Sequence, residues 1–82
     1  MKILVVVDAQ NDFITGLLGS EEARFAVPAI AAKIDEYMKN TDLVVFTQDT
    51  HYDNYMETDE GKYLPVIHCL ENSWGWQIDE NL

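Results

Sequence analysis

Two short apolar runs decide most of what this chain can fold into. Ile3-Leu4-Val5-Val6-Val7 and Leu43-Val44-Val45-Phe46 are unbroken stretches of β-branched, leucine and aromatic residues. A continuous run, rather than an alternating one, is the pattern of a strand buried on both faces of a parallel sheet. Between the runs, Val27, Ile30, Ala31, Ile34, Tyr37 and Met38 recur at helical spacing and mark a buried stripe. Ser20 followed by Glu21 and Glu22 supplies the start of that helix, a hydroxyl cap with acids at the positive dipole end. Lys39 and Asn40 suit its finish. Pro28 inside the stretch predicts either a kink or a fresh start with the proline in the first turn. Residues 2–47 therefore read as one βαβ unit with parallel strands and a right-handed crossover.

A third apolar run, Leu64-Pro65-Val66-Ile67, leads into His68 and predicts a short strand over residues 66–68. Residues 48–63 are polar and read as an active-site loop with at most one short helical turn, since long connections in compact domains are often functional. The fold class is α/β, the first half of a doubly wound, Rossmann-like parallel sheet with strand order 3-2-1. One helix cannot cover both faces of three buried strands, and the most hydrophobic strand would lie on an open edge. Residues 1–82 are accordingly expected to form a single incomplete domain, an N-terminal half. The exposed edge predicts either a missing C-terminal half or a homo-oligomer in which residues 2–7 of two copies pair antiparallel about a two-fold axis.

Fifteen acidic residues against five basic ones give a formal charge of −10. That balance argues against nucleic acid and anionic membrane surfaces as partners, because both require clustered Lys and Arg. It also draws cations toward any preformed pocket. The apolar run at residues 1–7 is too short to span a membrane, and Asp8 and Asp12 interrupt any signal-peptide pattern. With Cys69 as the sole cysteine no intramolecular disulfide can form, so a reducing, cytoplasmic location is the expectation.

Chemistry gathers where the runs end. Asp8 follows the first, Asp49 and His51 follow the second, and His68 follows the third. If the runs are neighbouring parallel strands, these side chains share one rim of the sheet, where open α/β sheets bind ligands. Asp49 and His51, at i and i+2, can reach a common ion from an extended segment. With His68 they make two imidazoles and a carboxylate, a plausible open metal site; a loop histidine and a satisfied core histidine are the plainer alternative. A carboxylate closing an apolar strand is costly unless paired. Asp8 is thus a candidate general base or the orienter of a cationic partner, unless it merely caps a turn. Cys69 adjoins His68, but strand neighbours point to opposite faces, which favours a structural buried thiol.

Three stretches together resemble the isochorismatase-like cysteine hydrolases, and nicotinamidases in particular. They are Leu4-Val5-Val6-Val7-Asp8-Ala9-Gln10-Asn11-Asp12-Phe13, Phe46-Thr47-Gln48-Asp49-Thr50-His51 and Leu64-Pro65-Val66-Ile67-His68-Cys69. The resemblance implies an α/β fold and hydrolysis of a small amide, nicotinamide to nicotinate and ammonia, by an Asp-Lys-Cys triad. It implies that Asp8 is the triad aspartate, that Asp49, His51 and His68 hold a divalent metal (zinc, manganese or iron), and that Phe13 walls the substrate pocket. A further histidine that some nicotinamidases carry in the intervening loop has no counterpart in residues 52–67. The family's lysine and nucleophilic cysteine belong to its second half, and neither Lys62 nor Cys69 matches them. The resemblance therefore implies that residues 1–82 alone carry no amidase turnover. The alternatives are a metal-independent isochorismatase-type hydrolase and a non-catalytic, metal-binding or self-associating module.

Overall fold

The computed structural model describes all of residues 1–82. Strand β1 (Ile3–Val6) is followed by a single helical turn, α1 (Asn11–Ile14), a long helix, α2 (Glu21–Lys39), and strand β2 (Leu43–Phe46). A 3₁₀ turn at Tyr55–Glu57 then leads directly into the short helix α3 (Asp59–Tyr63). The strands pair in parallel with Ile3 opposite Leu43 and Val6 opposite Phe46. Thr47 extends the ladder by donating its N–H to the Val6 carbonyl at 2.9 Å. With no stagger between them, the two strands end together, so Asp8 and residues 47–51 leave the sheet at one rim.

Helix α2 forms as its sequence suggests at both ends. Ser20 Oγ accepts the Ala23 N–H at 3.0 Å, which satisfies one of the donors that a helix start leaves unpaired. Neither a fresh start nor an interruption occurs at Pro28, which lies within one 19-residue helix. Proline leaves the Arg24 carbonyl without its helical donor, but Arg24 and Pro28 are both exposed, so water can serve that carbonyl. Val27 and Ile34 are buried and Ile30 partly so, whereas Met38 at the last turn is 64 % exposed and falls outside the stripe.

The core is a cluster of Val6, Ala9, Ile14, Val27 and Ile34, with Leu4, Ile30, Val44 and Leu82 packed against it. Helix α2 covers one face of the sheet only. On the other, Ile3, Val5 and Val7 are 57 %, 51 % and 67 % exposed, so the burial on both faces that a continuous apolar run implies is not reached within residues 1–82. The radius of gyration is 14.3 Å, against about 12 Å for a compact domain of this length.

The third strand is a correction. The sheet has two strands, β1 and β2, and residues 66–68 join no ladder, so a strand there is not formed and the order 3-2-1 is not shown. Pro65 has no N–H to give, Val66 turns its own back to the Leu64 carbonyl at 2.8 Å, and Cys69 sits at φ 50°. What remains is one parallel bridge between His51 and Leu70. It is made by His51 N–H to the Cys69 carbonyl and Glu71 N–H to the His51 carbonyl, both 2.9 Å. That bridge is enough to carry His68 alongside the residues that continue β2.

Candidate metal centre

At the rim, the bridge, β2 and α3 bring four donor side chains to one point. Asp49 Oδ2 lies 3.0 Å from His51 Nε2 and 3.5 Å from His68 Nε2. Glu60 Oε2 lies 3.3 Å from His51 Nε2 and 3.7 Å from His68 Nε2. All four donor atoms fall within 4.8 Å of one another. The three candidate ligands expected from sequence are thus brought together, and Glu60 is a fourth candidate donor that the sequence did not single out. Thr58 caps α3 by accepting the Gly61 N–H at 3.1 Å, and the helical turn it starts aims Glu60 back at the rim. A threonine followed by Asp-Glu is the one trace of this in the sequence, and it marks a helix start rather than a ligand.

The donor set fits a divalent cation. An ion about 2.1 Å from each donor, with tetrahedral geometry, places its donors about 3.4 Å apart; the four histidine–carboxylate separations span 3.0 to 3.7 Å, and the whole set extends to 4.8 Å, so a modest inward movement of the side chains would close it on an ion. Two carboxylates converging on one point repel each other unless a positive charge lies between them. No lysine or arginine enters the group, the Lys33–Glu36 pair being far off on α2. His68 is prepared as a ligand: its Nδ1 donates to the Val66 carbonyl at 2.6 Å, which leaves the Nε2 lone pair facing the cluster. The His51 and His68 rings meet edge to face at 4.8 Å, and Tyr55 packs edge to face on both, at 4.7 and 5.2 Å. Tyr55 is buried, and its hydroxyl donates to the Leu64 carbonyl at 2.7 Å. Burial, and then the Glu60 charge, push that phenol above its ordinary range.

Asp8 stands at the same rim in a left-handed conformation, φ 53°, uncommon for a non-glycine residue and often found at functional sites. Its N–H donates to Thr47 Oγ1 at 2.9 Å, and the Thr47 hydroxyl donates back to Asp8 Oδ1 at 2.8 Å. The second carboxylate oxygen takes no bond from the protein, so Asp8 is oriented and keeps one oxygen free. Phe13 meets the His68 ring edge to face at 5.6 Å, which puts its ring beside the donor cluster. The largest groove, about 560 Å³, lies elsewhere, between α1, α2 and residues 79–81.

Cys69 is fully buried. Burial first, then the charges of Asp12, Asp49 and Asp8, push its thiol up to about 12. It is a structural residue: its N–H donates to Asp12 Oδ2 at 2.7 Å. Asp12 and Gly75 touch so closely that a Cβ on Gly75 would collide with the Asp12 carboxylate. Gln10 is fully buried too, with Oε1 accepting the Asp49 N–H and Nε2 donating to the Asp49 and Trp76 carbonyls, each at 2.8 Å. Asn11 Nδ2 donates to the Trp74 carbonyl at 2.7 Å. Trp76 Nε1 donates to Thr50 Oγ1 at 2.8 Å. The two tryptophans thus belong to a segment that laces the exit of β1 to the exit of β2.

This arrangement, an α/β unit with a two-histidine, two-carboxylate group at the ends of its strands, defines a class. The chain belongs to the isochorismatase family, whose domain model matches residues 2–82. Its structure is similar to that of the pyrazinamidase of Pyrococcus horikoshii in complex with zinc, at 28 % sequence identity and a TM-score of 0.80. The match covers 96 % of this chain and 47 % of that one, so the chain spans about half the length of this relative. No curated protein matches the sequence. No helix is long and apolar enough to cross a membrane.

Proposed function

We propose that residues 1–82 are the metal-bearing N-terminal half of a nicotinamidase-like amidase, a hydrolase that splits nicotinamide into nicotinate and ammonia. The observation that carries the reading is the convergence of Asp49, His51, Glu60 and His68 beside a partly unpaired Asp8, in a chain of this family. Asp49, His51, His68 and Glu60 would hold a divalent ion, zinc first among the candidates because the similar pyrazinamidase is a zinc complex. When bound, the ion supplies a Lewis-acidic anchor for the nitrogen of a pyridine ring. Phe13 walls the space beside it. In the whole enzyme Asp8 would take the nucleophile's proton at its free oxygen and then deliver it to the leaving amine, the role of a general acid/base.

Cys69 is not proposed as the nucleophile of such a reaction, because its thiol is fully buried against the Gly75 carbonyl, out of reach of a substrate, and burial pushes it away from the thiolate form. The polypeptide of residues 1–82 is therefore proposed to bind metal and ring without turning the amide over. Two measurements test this. Dialysis against zinc is expected to leave one equivalent bound. Nicotinamide is expected to perturb the visible spectrum of the cobalt-loaded protein, whereas benzamide, which lacks the ring nitrogen, is not. Absence of bound zinc would sink the metal centre. Equal responses to the two amides would sink the substrate assignment, and ammonia released by residues 1–82 alone would sink the claim of no turnover.

A further inference from the structure

Gln10 touches no donor atom of the metal centre, yet its side chain is buried without residue and every polar atom is used. Its partners are unusual in combination. One side-chain amide grips both the N–H and the C=O of a single residue, Asp49, at 2.8 Å each. Asp49 lies beyond the end of β2, where no neighbouring strand fixes the backbone. Gln10 acts there as a substitute strand, closing the hydrogen bonds that a ladder would otherwise supply. Its remaining donor goes to the Trp76 carbonyl, which also accepts Gln48 Nε2 at 3.1 Å. Trp76 in turn is tied to Thr50 through its indole at 2.8 Å. Residues 48, 49 and 50 are thus each anchored to one frame, with Gln10 at its centre.

We infer that Gln10 is a positioning residue for the metal centre, setting the backbone of Asp49 so that its carboxylate faces His51 and His68 before any ion arrives. This rests on the reading of the four-donor group as a metal site. The physical argument is preorganisation. A carboxylate on a loose segment must be ordered when the ion binds, and that cost is subtracted from affinity; a clamped one was ordered during folding. Groups that orient ligands from behind typically change metal affinity about 10–100-fold when removed. Asn11 provides the internal comparison. It makes the same kind of bond to the same C-terminal segment, to the Trp74 carbonyl at 2.7 Å, but makes no bond to Asp49.

The test is zinc affinity, by competition with a chromophoric chelator, in the wild type, Gln10→Leu, Gln10→Glu and Asn11→Leu. The cobalt spectrum and the thermal stability of each metal-free protein are recorded alongside. Gln10→Leu is expected to weaken zinc about 10–100-fold and to alter the cobalt bands. Gln10→Glu keeps the shape and the acceptor for the Asp49 N–H but turns an anion toward two carbonyls; it should shift both readouts in the same direction. It also keeps the test alive if the leucine variant fails to fold. Asn11→Leu should lose stability and keep its zinc affinity. Wild-type affinity and spectrum in folded Gln10 variants, or an equal affinity loss in Asn11→Leu, would overturn the inference. A wild type that binds no zinc would instead remove the metal centre on which it stands.

Discussion

Two side chains at the rim show how place, rather than type, sets a residue's chemistry. Asp8 and Asp12 are both carboxylates leaving the same strand, four positions apart. Asp12 is buried and spends an oxygen on the Cys69 N–H; Asp8 is half-exposed and keeps one oxygen unbonded. Only the second is available to a reactant. Cys69 gives a prediction at this scale. The folded protein holds the thiol proton up to about 12, while the ordinary value is 9.0. Where the unfolded chain has lost that proton and the folded one has not, stability falls as pH rises. The contribution is complete below about pH 9 and is lost progressively toward about pH 12. Denaturant midpoints should fall across that window, and less so in Cys69→Ala. A disulfide-exchange reagent at pH 8 should leave the native thiol unmodified and label it once urea unfolds the chain. Rapid labelling of the folded protein would contradict the burial described above.

At the scale of elements, helix α2 carries most of the contacts that cover the sheet, and its weak point is Pro28. The Arg24 carbonyl has no helical donor there, on a face exposed to water. Pro28→Ala restores the donor and adds the best helix former, so stability should rise, by up to about 3 kcal/mol. A higher melting temperature is the expected result; a lower one would mean that the proline ring is needed in packing. Helix α2 is legible in the sequence because its cap, its acids and all of its stripe but Met38 are local signals. Residues 66–68 are not, because a strand exists only through its neighbours. There, Pro65 and the left-handed Cys69 outweighed a favourable apolar run.

The whole molecule is a sheet with one dressed face. Ile3 and Val5 on β1 and Val7 just beyond it stand exposed in a row, with Val45 on β2 at 37 %, and the outline is long, 44 × 25 × 20 Å. Beside that face β1 has β2 on one side only, and an open apolar edge pairs with whatever strand is offered. For the polypeptide of residues 1–82 in isolation, a solution mass above 9.4 kDa is the expected outcome of sedimentation. Val5→Lys should return it to that mass; an unchanged assembly would exclude the β1 edge as the contact. Apart from His68, which arrives through the His51–Leu70 bridge and not through a third strand, the sequence alone determined the βαβ unit, the ends of α2, the uncovered face, and Asp49 and His51 at one rim. Each of these follows from periodicity, capping or the rule that parallel strands end at a common rim. Tertiary structure alone decided that Glu60 joins them, that Gln10 and Asp12 turn inward as clamps, and that Tyr55 backs the histidines. Those outcomes depend on the short turn at α3 and on contacts between residues up to 66 positions apart, and hydrogen bonds of that span leave no period in a sequence.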